Sequence, residues 1–353
     1  MGHSVSVREV AELAGVSLGT VSNVLNSPER VAPRTRERVL AAMSELGFVR
    51  NESARQLRAG TGRTIGLVVL DVSNPFFTDV ARGVEEAATE AGHSVILCNS
   101  DSNPEREHRH LEVLAQQRVH GVLITPSRDS LAEIRRLQQR GVSVVLLDHP
   151  ATARDICSVA VDDRTGGALA INHLLAQGFE RIVMVTGAAH VRQAAERRLG
   201  ACDALRKAGQ PESALRVLEV PALTVAAGLR AGEQILADRD RPRAVFCAND
   251  LLALGVLQAM VRAGLRVPGE MAIVGYDDIE FASAAAVPLT SVRQPRHLIG
   301  RTAAQLVIAE TSSPGQHEHQ RVFFTPELVV RESSQAGATG LPDRGTQQPP
   351  HPA

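Results

Sequence analysis

With 353 residues the chain is too long for one ordinary hydrophobic core, which makes two or three domains the expectation. Its 38 lysines and arginines against 39 aspartates and glutamates leave a net charge of −1, excluding a wholly basic nucleic-acid coat and an acidic tail protein. Trp is absent and aromatics make up 3%, which disfavours single strands held by base stacking and favours duplex DNA for any local nucleic-acid surface.

Residues 1–60 hold eight Arg and six Glu with no Lys or Asp, a local charge of the sign that DNA requires. Ser6-Val7-Arg8-Glu9 has the S-x-x-E form of a capping box and predicts a helix from Val7. Val10, Ala11, Leu13 and Ala14 give that helix an apolar side, and Gly15 supplies a left-handed stop. Ser17 caps a second helix, Leu18 to Asn26, in which Val21, Val24 and Leu25 recur at helical spacing while Gly19, Thr20, Ser22 and Asn23 face outward. A third helix runs from Pro33 to Leu46, with Val39, Ala42, Met43 and Leu46 on one side and Gly47 ending it. Two helices joined by a tight turn, the second with a small, polar outer face, make the helix-turn-helix pattern, although an ordinary three-helix bundle shows the same periodicity.

The residue string separates the two. V-x-x-V-A-x-x-A-G-V-S-x-x-T-V-S-x-x-L-N, Val7 to Asn26, and R-x-x-V-x-x-A-x-x-x-L-G-F, Arg36 to Phe48, closely resemble the headpiece of the LacI/GalR family of transcriptional regulators. The resemblance implies a second helix in the major groove with Leu18, Gly19 and Asn23 facing bases, and Thr20, Ser22, Asn26, Arg34 and Thr35 approaching phosphates. Of the three base-facing residues only Asn23 both donates and accepts, as adenine requires. Ala32 replaces the serine or threonine usual before Pro33, which weakens that cap. Residues 51–60, NESARQLRAG, resemble the family's hinge helix, which implies that Ala54 and Leu57 meet the minor groove, Leu57 as a wedge, with Arg55 and Arg58 near phosphates. Ten residues are too few for a stable isolated helix, so this segment is expected to fold only when two copies pack on DNA.

From Thr64 onward short apolar runs alternate with helical stretches, the pattern of βα repetition around parallel sheets. Runs at 64–71, 93–100, 121–127, 143–148, 156–162, 181–187, 244–250 and 271–278 read as buried parallel strands, and ligands collect beyond the carboxyl ends of such strands. The polar residues near those ends are Asp71, Ser73, Asn74, Asp148, Asp162, Arg197, Asn249 and Asp277. Each alone fits a helix cap or loop equally well; together, carboxylates, amides and a guanidinium suit a vicinal polyol, with Phe76 and Phe77 for apolar ring faces. N-P-F-F (74–77), A-N-D-x-x-A-x-G (248–255), V-G-Y-D-D (274–278) and R-Q-P (293–295) resemble landmarks of the periplasmic sugar-binding-protein fold shared by LacI/GalR cores. That resemblance implies a pocket of Asn74, Phe76, Phe77, Asp148, Arg197, Asn249, Asp277 and Gln294, and a sugar or nucleoside as effector. His149 stands where ribose-type binders often carry arginine.

The expected protein is therefore α/β: an all-α headpiece (1–50), a hinge (51–61), a first lobe (62–161 plus 293–321), a second lobe (162–292 plus 322–332) and a disordered tail (333–353). First-lobe helices from Pro75 to Gly92 and from Glu105 to Arg118 are candidates for a homodimer face, and a twofold dimer calls for a near-palindromic operator on double-stranded DNA. Catalysis is not expected, because no phosphate loop, nucleophile elbow or H-E-x-x-H accompanies the Asp162-Asp163 and Asp277-Asp278 pairs. Cys98, Cys157, Cys202 and Cys247 form no C-x-x-C pair, so neither a metal site nor a disulfide framework is expected, and no cofactor beyond the effector. With no export signal and no membrane-length apolar run, the expected location is the cytoplasm.

Overall fold

The computed structural model describes residues 5–48, 63–127, 131–189, 191–313 and 315–335, in two compact units divided between Gly62 and Arg63. The expected hinge, with Ala54, Arg55, Leu57 and Arg58, lies outside the described residues, as does the tail from 336 onward.

The first unit is helical. Helix α1 (Val7–Ala14) starts on the predicted capping box, where the Glu9 amide donates to Ser6 Oγ and the Ser6 amide donates 2.7 Å to Glu9 Oε2. Gly15 ends it at φ 60° and hands the chain to α2 (Leu18–Asn26), whose Ser17 cap accepts from the Thr20 amide. Helix α3 (Pro33–Leu46) closes the bundle and ends on Gly47; its N-cap position, Ala32, makes no side-chain hydrogen bond. Val10, Ala11, Ala14, Val21, Val24, Val39 and Ala42 form the core.

The second unit contains two six-stranded sheets. The first is ordered β11-β5-β4-β3-β1-β2, from β1 (Thr64–Val69), β2 (Ser94–Asn99), β3 (Gly121–Ile124), β4 (Ser143–Leu147), β5 (Cys157–Val161) and β11 (Arg321–Phe324). The other is ordered β12-β10-β9-β8-β6-β7, from β6 (Ile182–Thr186), β7 (Leu215–Glu219), β8 (Ala244–Cys247), β9 (Ala272–Asp277), β10 (Thr290–Arg293) and β12 (Glu327–Val329). All pairings are parallel except β10 with β12.

Helices cover both faces of each sheet, as buried parallel strands demand. In the first lobe α4 (Pro75–Glu90) and α12 (Arg296–Ser312) pack on one face through Val80, Val84, Ile299 and Ala303, and α5 (Pro104–Gln116) and α6 (Leu131–Gln139) on the other through Leu111, Leu114, Ile134 and Leu137. In the second, α7 (Asp163–Ala176) with α8 (Arg192–Lys207) and α9 (Val225–Ala237) with α10 (Asp250–Arg262) do the same; a short α11 (Glu280–Ala284) follows β9. Three of these helix pairs cross at reciprocal glycines. A Cβ at Gly167 would overlap the carbonyl oxygen of Arg197, and one at Gly200 that of Arg164; Gly83 with Gly300 and Gly228 with Gly255 repeat the arrangement.

Three expectations need correction. The chain passes finally to the second lobe after Phe324, not after residue 321, because Arg321–Phe324 adds as a parallel edge strand to β5 before Glu327–Val329 pairs with β10. The segment 93–100 is no buried strand: β2 is an edge, and Leu97 is 45% exposed. The tail does not begin at 333. Ser333 and Ser334 are fully buried, the Ser333 hydroxyl donating to Ile273 O and accepting from the Thr290 amide, the Ser334 hydroxyl bonding Thr290 Oγ1 and His173 Nε2.

Candidate functional site

The carboxyl ends of both sheets carry buried polar side chains. Asp148 directly follows β4 at φ 51°, and Asp277 ends β9 at φ 102°, left-handed backbone of the kind that clusters at functional sites. Gln294 follows β10 and donates 2.8 Å to Asp277 Oδ1. Arg197 projects from α8, fully enclosed: its Nε donates 2.8 Å to Asp163 Oδ1, its Nη1 donates 2.5 Å to Ala248 O and lies 3.8 Å from Asp277 Oδ1, and its guanidinium stacks 3.6 Å above the Tyr276 ring. Across the cleft, Gln193 of the second lobe donates 2.9 Å to the Asp148 carbonyl and 3.0 Å to its carboxylate, joining the lobes.

Electrostatics follow from this enclosure. Burial raises the Asp277 carboxyl to about 6, against the lowering effects of Arg197 and of a hydrogen bond from Gln294. Burial, with the Asp163 charge adding to it, also drives Asp148 well above the ordinary carboxylate range. For Arg197 burial opposes the charge, but Asp163, Tyr276, Asp277 and Asp148 outweigh it and raise its pKa.

Five buried polar atoms at or just beyond strand ends have no hydrogen-bond partner among the described residues: Thr125 Oγ1, Ser127 Oγ, Asp148 Oδ1, Thr186 Oγ1 and Gln294 Oε1. Thr125 follows β3, Asp148 follows β4, Thr186 ends β6 and Gln294 follows β10. Leaving such a group unpaired costs about 1–3 kcal/mol, so each calls for a polar partner beyond the protein.

Other expected residues have different places. Asn74 caps α4 through Phe76 N, and its side chain also bonds Asp277 across the lobes. Asn249 caps α10 through Leu252 N and donates to Leu223 O, so its amide is committed to the fold at both ends. Phe76 and Phe77 meet edge to face, ring centres 5.0 Å apart, within the first lobe's apolar core. Asp71 closes a turn with Ser73, and Asp162 caps α7. The adjacent carboxylates diverge: Asp162 binds Thr165 while Asp163 binds Arg197, and Asp278 binds Arg293 and Arg331 while Asp277 binds Gln294. Neither pair is disposed as a general acid and base. Gln193 escaped sequence reading, although its place four residues before Arg197, on the same face of one helix, is the signal that finds it.

In the headpiece, Leu18, Gly19 and Asn23 are exposed along α2, Leu18 to 50%, and the Asn23 amide makes no hydrogen bond among the described residues. Asn26 donates 2.8 Å to Ser22 O and 3.2 Å to Ser22 Oγ; Thr20 pairs with Ser17; Arg34 is exposed and Thr35 half-buried.

Residues 6–51 match the lacI family of bacterial regulatory proteins, and residues 171–334 match the periplasmic binding protein-like domain. The ribose operon repressor of Escherichia coli is 35% identical over 335 residues, covering 93% of this chain and 99% of that protein. The HTH-type transcriptional repressor PurR of Photobacterium profundum is 33% identical over 331 residues, covering 93% and 98%. Among solved structures, the lac repressor dimer bound to operator and the anti-inducer ONPF superposes with TM-score 0.82 at 29% identity, covering 95% of this chain and 100% of that one. An Enterococcus faecium family regulator with bound ribose has TM-score 0.71 at 28% identity, covering 77% and 98%. Among the described residues no helix is long and apolar enough to cross a membrane.

Proposed function

Because this chain belongs to the lacI family of bacterial regulatory proteins, DNA-binding regulators with a ligand-responsive core, we propose that it represses genes for the use of a neutral sugar. In this reading it binds a near-palindromic operator as a homodimer, and sugar held between the lobes sets its operator affinity. The observation that carries the reading is the pair of unpartnered oxygens, Asp148 Oδ1 and Gln294 Oε1, on residues that interact with Arg197 and Asp277, because a polyol offers donors and acceptors on every carbon.

Charge narrows the ligand. Burial keeps the Asp148 carboxyl protonated near neutral pH, and Asp163 and Asp277 already answer the single buried guanidinium, Arg197, so an anionic effector such as a sugar phosphate would find no unpaired positive charge. Aromatic surface argues against a nucleoside: Tyr276 is already covered by Arg197, and Phe76 and Phe77 belong to the lobe core. Sugar binding in the ribose-bound relative and the ribose operon repressor's name agree with this choice. On the DNA side, Leu18, Gly19 and Asn23 read bases, with Thr20, Ser22, Asn26, Arg34 and Thr35 at phosphates. The hinge residues Ala54, Arg55, Leu57 and Arg58 carry the switch, since they stand in the sequence between the DNA-reading headpiece and the ligand-responsive core.

A thermal-shift screen of neutral pentoses and hexoses, sugar phosphates and nucleosides tests the effector class. A sugar binding only the folded state stabilises it by about 2.7 kcal/mol at a hundredfold excess over Kd. A response to nucleosides or anions alone would overturn the assignment.

A further inference from the structure

Far from the cleft, four metal-ligating side chains converge at the amino end of β5. Cys157 opens that strand, Glu310 lies in the last turn of α12, and His317 and His319 lie on the extended segment entering β11. Their candidate ligand atoms all lie within 4.8 Å of one another. Cys157 Sγ is 3.1 Å from His317 Nε2 and 3.7 Å from His319 Nδ1, and His319 Nδ1 is 3.9 Å from Glu310 Oε2. Four ligands around a zinc ion at its usual bond lengths stand about 3.3–3.6 Å apart, so tetrahedral coordination requires side-chain shifts of no more than about an ångström.

Three further features favour a bound cation over a chance cluster. Glu310 Oε2 is buried and has no hydrogen-bond partner among the described residues, an arrangement that costs stability unless something positive sits against it. The Gln320 amide donates 3.3 Å to Cys157 Sγ, the outer contact expected to orient a thiolate ligand. Cys157 is fully buried while the His319 side chain is 27% exposed, which leaves an approach from solvent through the imidazole side. A thiolate and a carboxylate with two neutral imidazoles balance a divalent charge, the thiol proton passing to solvent on binding.

We propose that Cys157, Glu310, His317 and His319 form a zinc site in the first lobe. The donor set selects zinc over calcium or magnesium, which take oxygen ligands. The bound ion ties the 313–320 connection to the end of α12 and the start of β5, and thereby fixes the entry of edge strand β11. It lies at the opposite end of the strands from the effector cleft and has no part in sugar recognition. Sequence spacing shows only its His317-x-His319 pair, because Cys157 stands 160 residues before His317 and joins it through the fold.

The test is titration of the chelator-stripped full-length chain with Co(II) as a spectroscopic stand-in, followed by displacement with Zn(II). The expected result is one equivalent bound, with thiolate-to-cobalt charge transfer and tetrahedral ligand-field bands, and a higher melting temperature on adding zinc. Cys157→Ser should abolish the charge-transfer band. His317→Ala/His319→Ala, confined to the connection and checked by circular dichroism, should weaken binding at least tenfold. Absence of a thiolate band in the parent chain, or unchanged affinity in the double histidine variant, would overturn the site.

Discussion

Asp277 carries a conflict between stability and use. Its carboxyl is buried beside Arg197 and Gln294, with a pKa raised to about 6. A carboxyl raised in the folded state stays protonated after the unfolded chain has released its proton, so stability falls as pH rises from the ordinary carboxylate value through about 6. Above that window the ionised group opposes folding by about 3 kcal/mol, the shift converted at 1.36 kcal/mol per unit. Asp277→Asn should therefore raise the melting temperature of the ligand-free protein at neutral pH and flatten its pH dependence, as denaturation scans across the window will show. The same substitution should abolish the sugar response, since an ionised carboxylate accepts hydrogen bonds from sugar hydroxyls at both oxygens. For the same reason sugar affinity of the parent chain should fall as pH drops through about 6. A variant that is stabilised yet still sugar-responsive would remove Asp277 from the binding set.

At the scale of elements, the position of Arg197 depends on how closely α7 and α8 cross. Gly167 lies against the Arg197 carbonyl and Gly200 against that of Arg164, so the helix carrying Asp163 and the helix carrying Arg197 approach backbone to backbone. Helix propensity alone makes Gly167→Ala favourable by up to about 1 kcal/mol. Overlap with a main-chain carbonyl cannot be relieved by a rotamer change, and overpacking of this kind costs about 1–3 kcal/mol, so the contact should win. The expected result is net destabilisation in urea unfolding and a weakened sugar response from the displaced guanidinium. Neither effect is legible in sequence, where these glycines read as weak helix positions. What was legible is local: the Ser6 capping box, the Gly15 and Gly47 stops, and the eight apolar runs. Strands β7, β11 and β12 escaped because they lie at or beside sheet margins, where one face meets solvent and charged residues such as Arg216, Glu219, Arg321 and Glu327 interrupt the apolar run. Strand β10 escaped for the opposite reason, its buried Thr290 and Ser291 hydroxyls being satisfied by Arg331, Ser334 and Asp250 from distant segments. The cleft residues were readable one by one, but the Gln193 bridge to Asp148 and the capping role that occupies Asn249 depend on tertiary contacts.

For the whole molecule, the proposed control of a near-palindromic operator requires two headpieces delivered together, which places a demand on the first lobe's surface. Strand β2 ends its sheet with Leu97 45% exposed, and an uncovered edge bearing a large apolar side chain is a liability that proteins ordinarily cover. A second copy of this chain covering β2 and the flank of α4 would remove it and form the isologous interface that a twofold operator reads. Leu97 has no part in the cleft, so its replacement separates assembly from sensing. Leu97→Asp should convert the proposed dimer to monomer in sedimentation equilibrium. Loss of the second linked half-site should then cost at least a hundredfold in operator affinity. Sugar affinity should be unchanged, because each cleft is built within one chain. A Leu97→Asp protein that remains dimeric would move the interface elsewhere on the lobe. One that becomes monomeric yet holds its operator as tightly as before would show that a single headpiece suffices, and the twofold reading of the operator would fall.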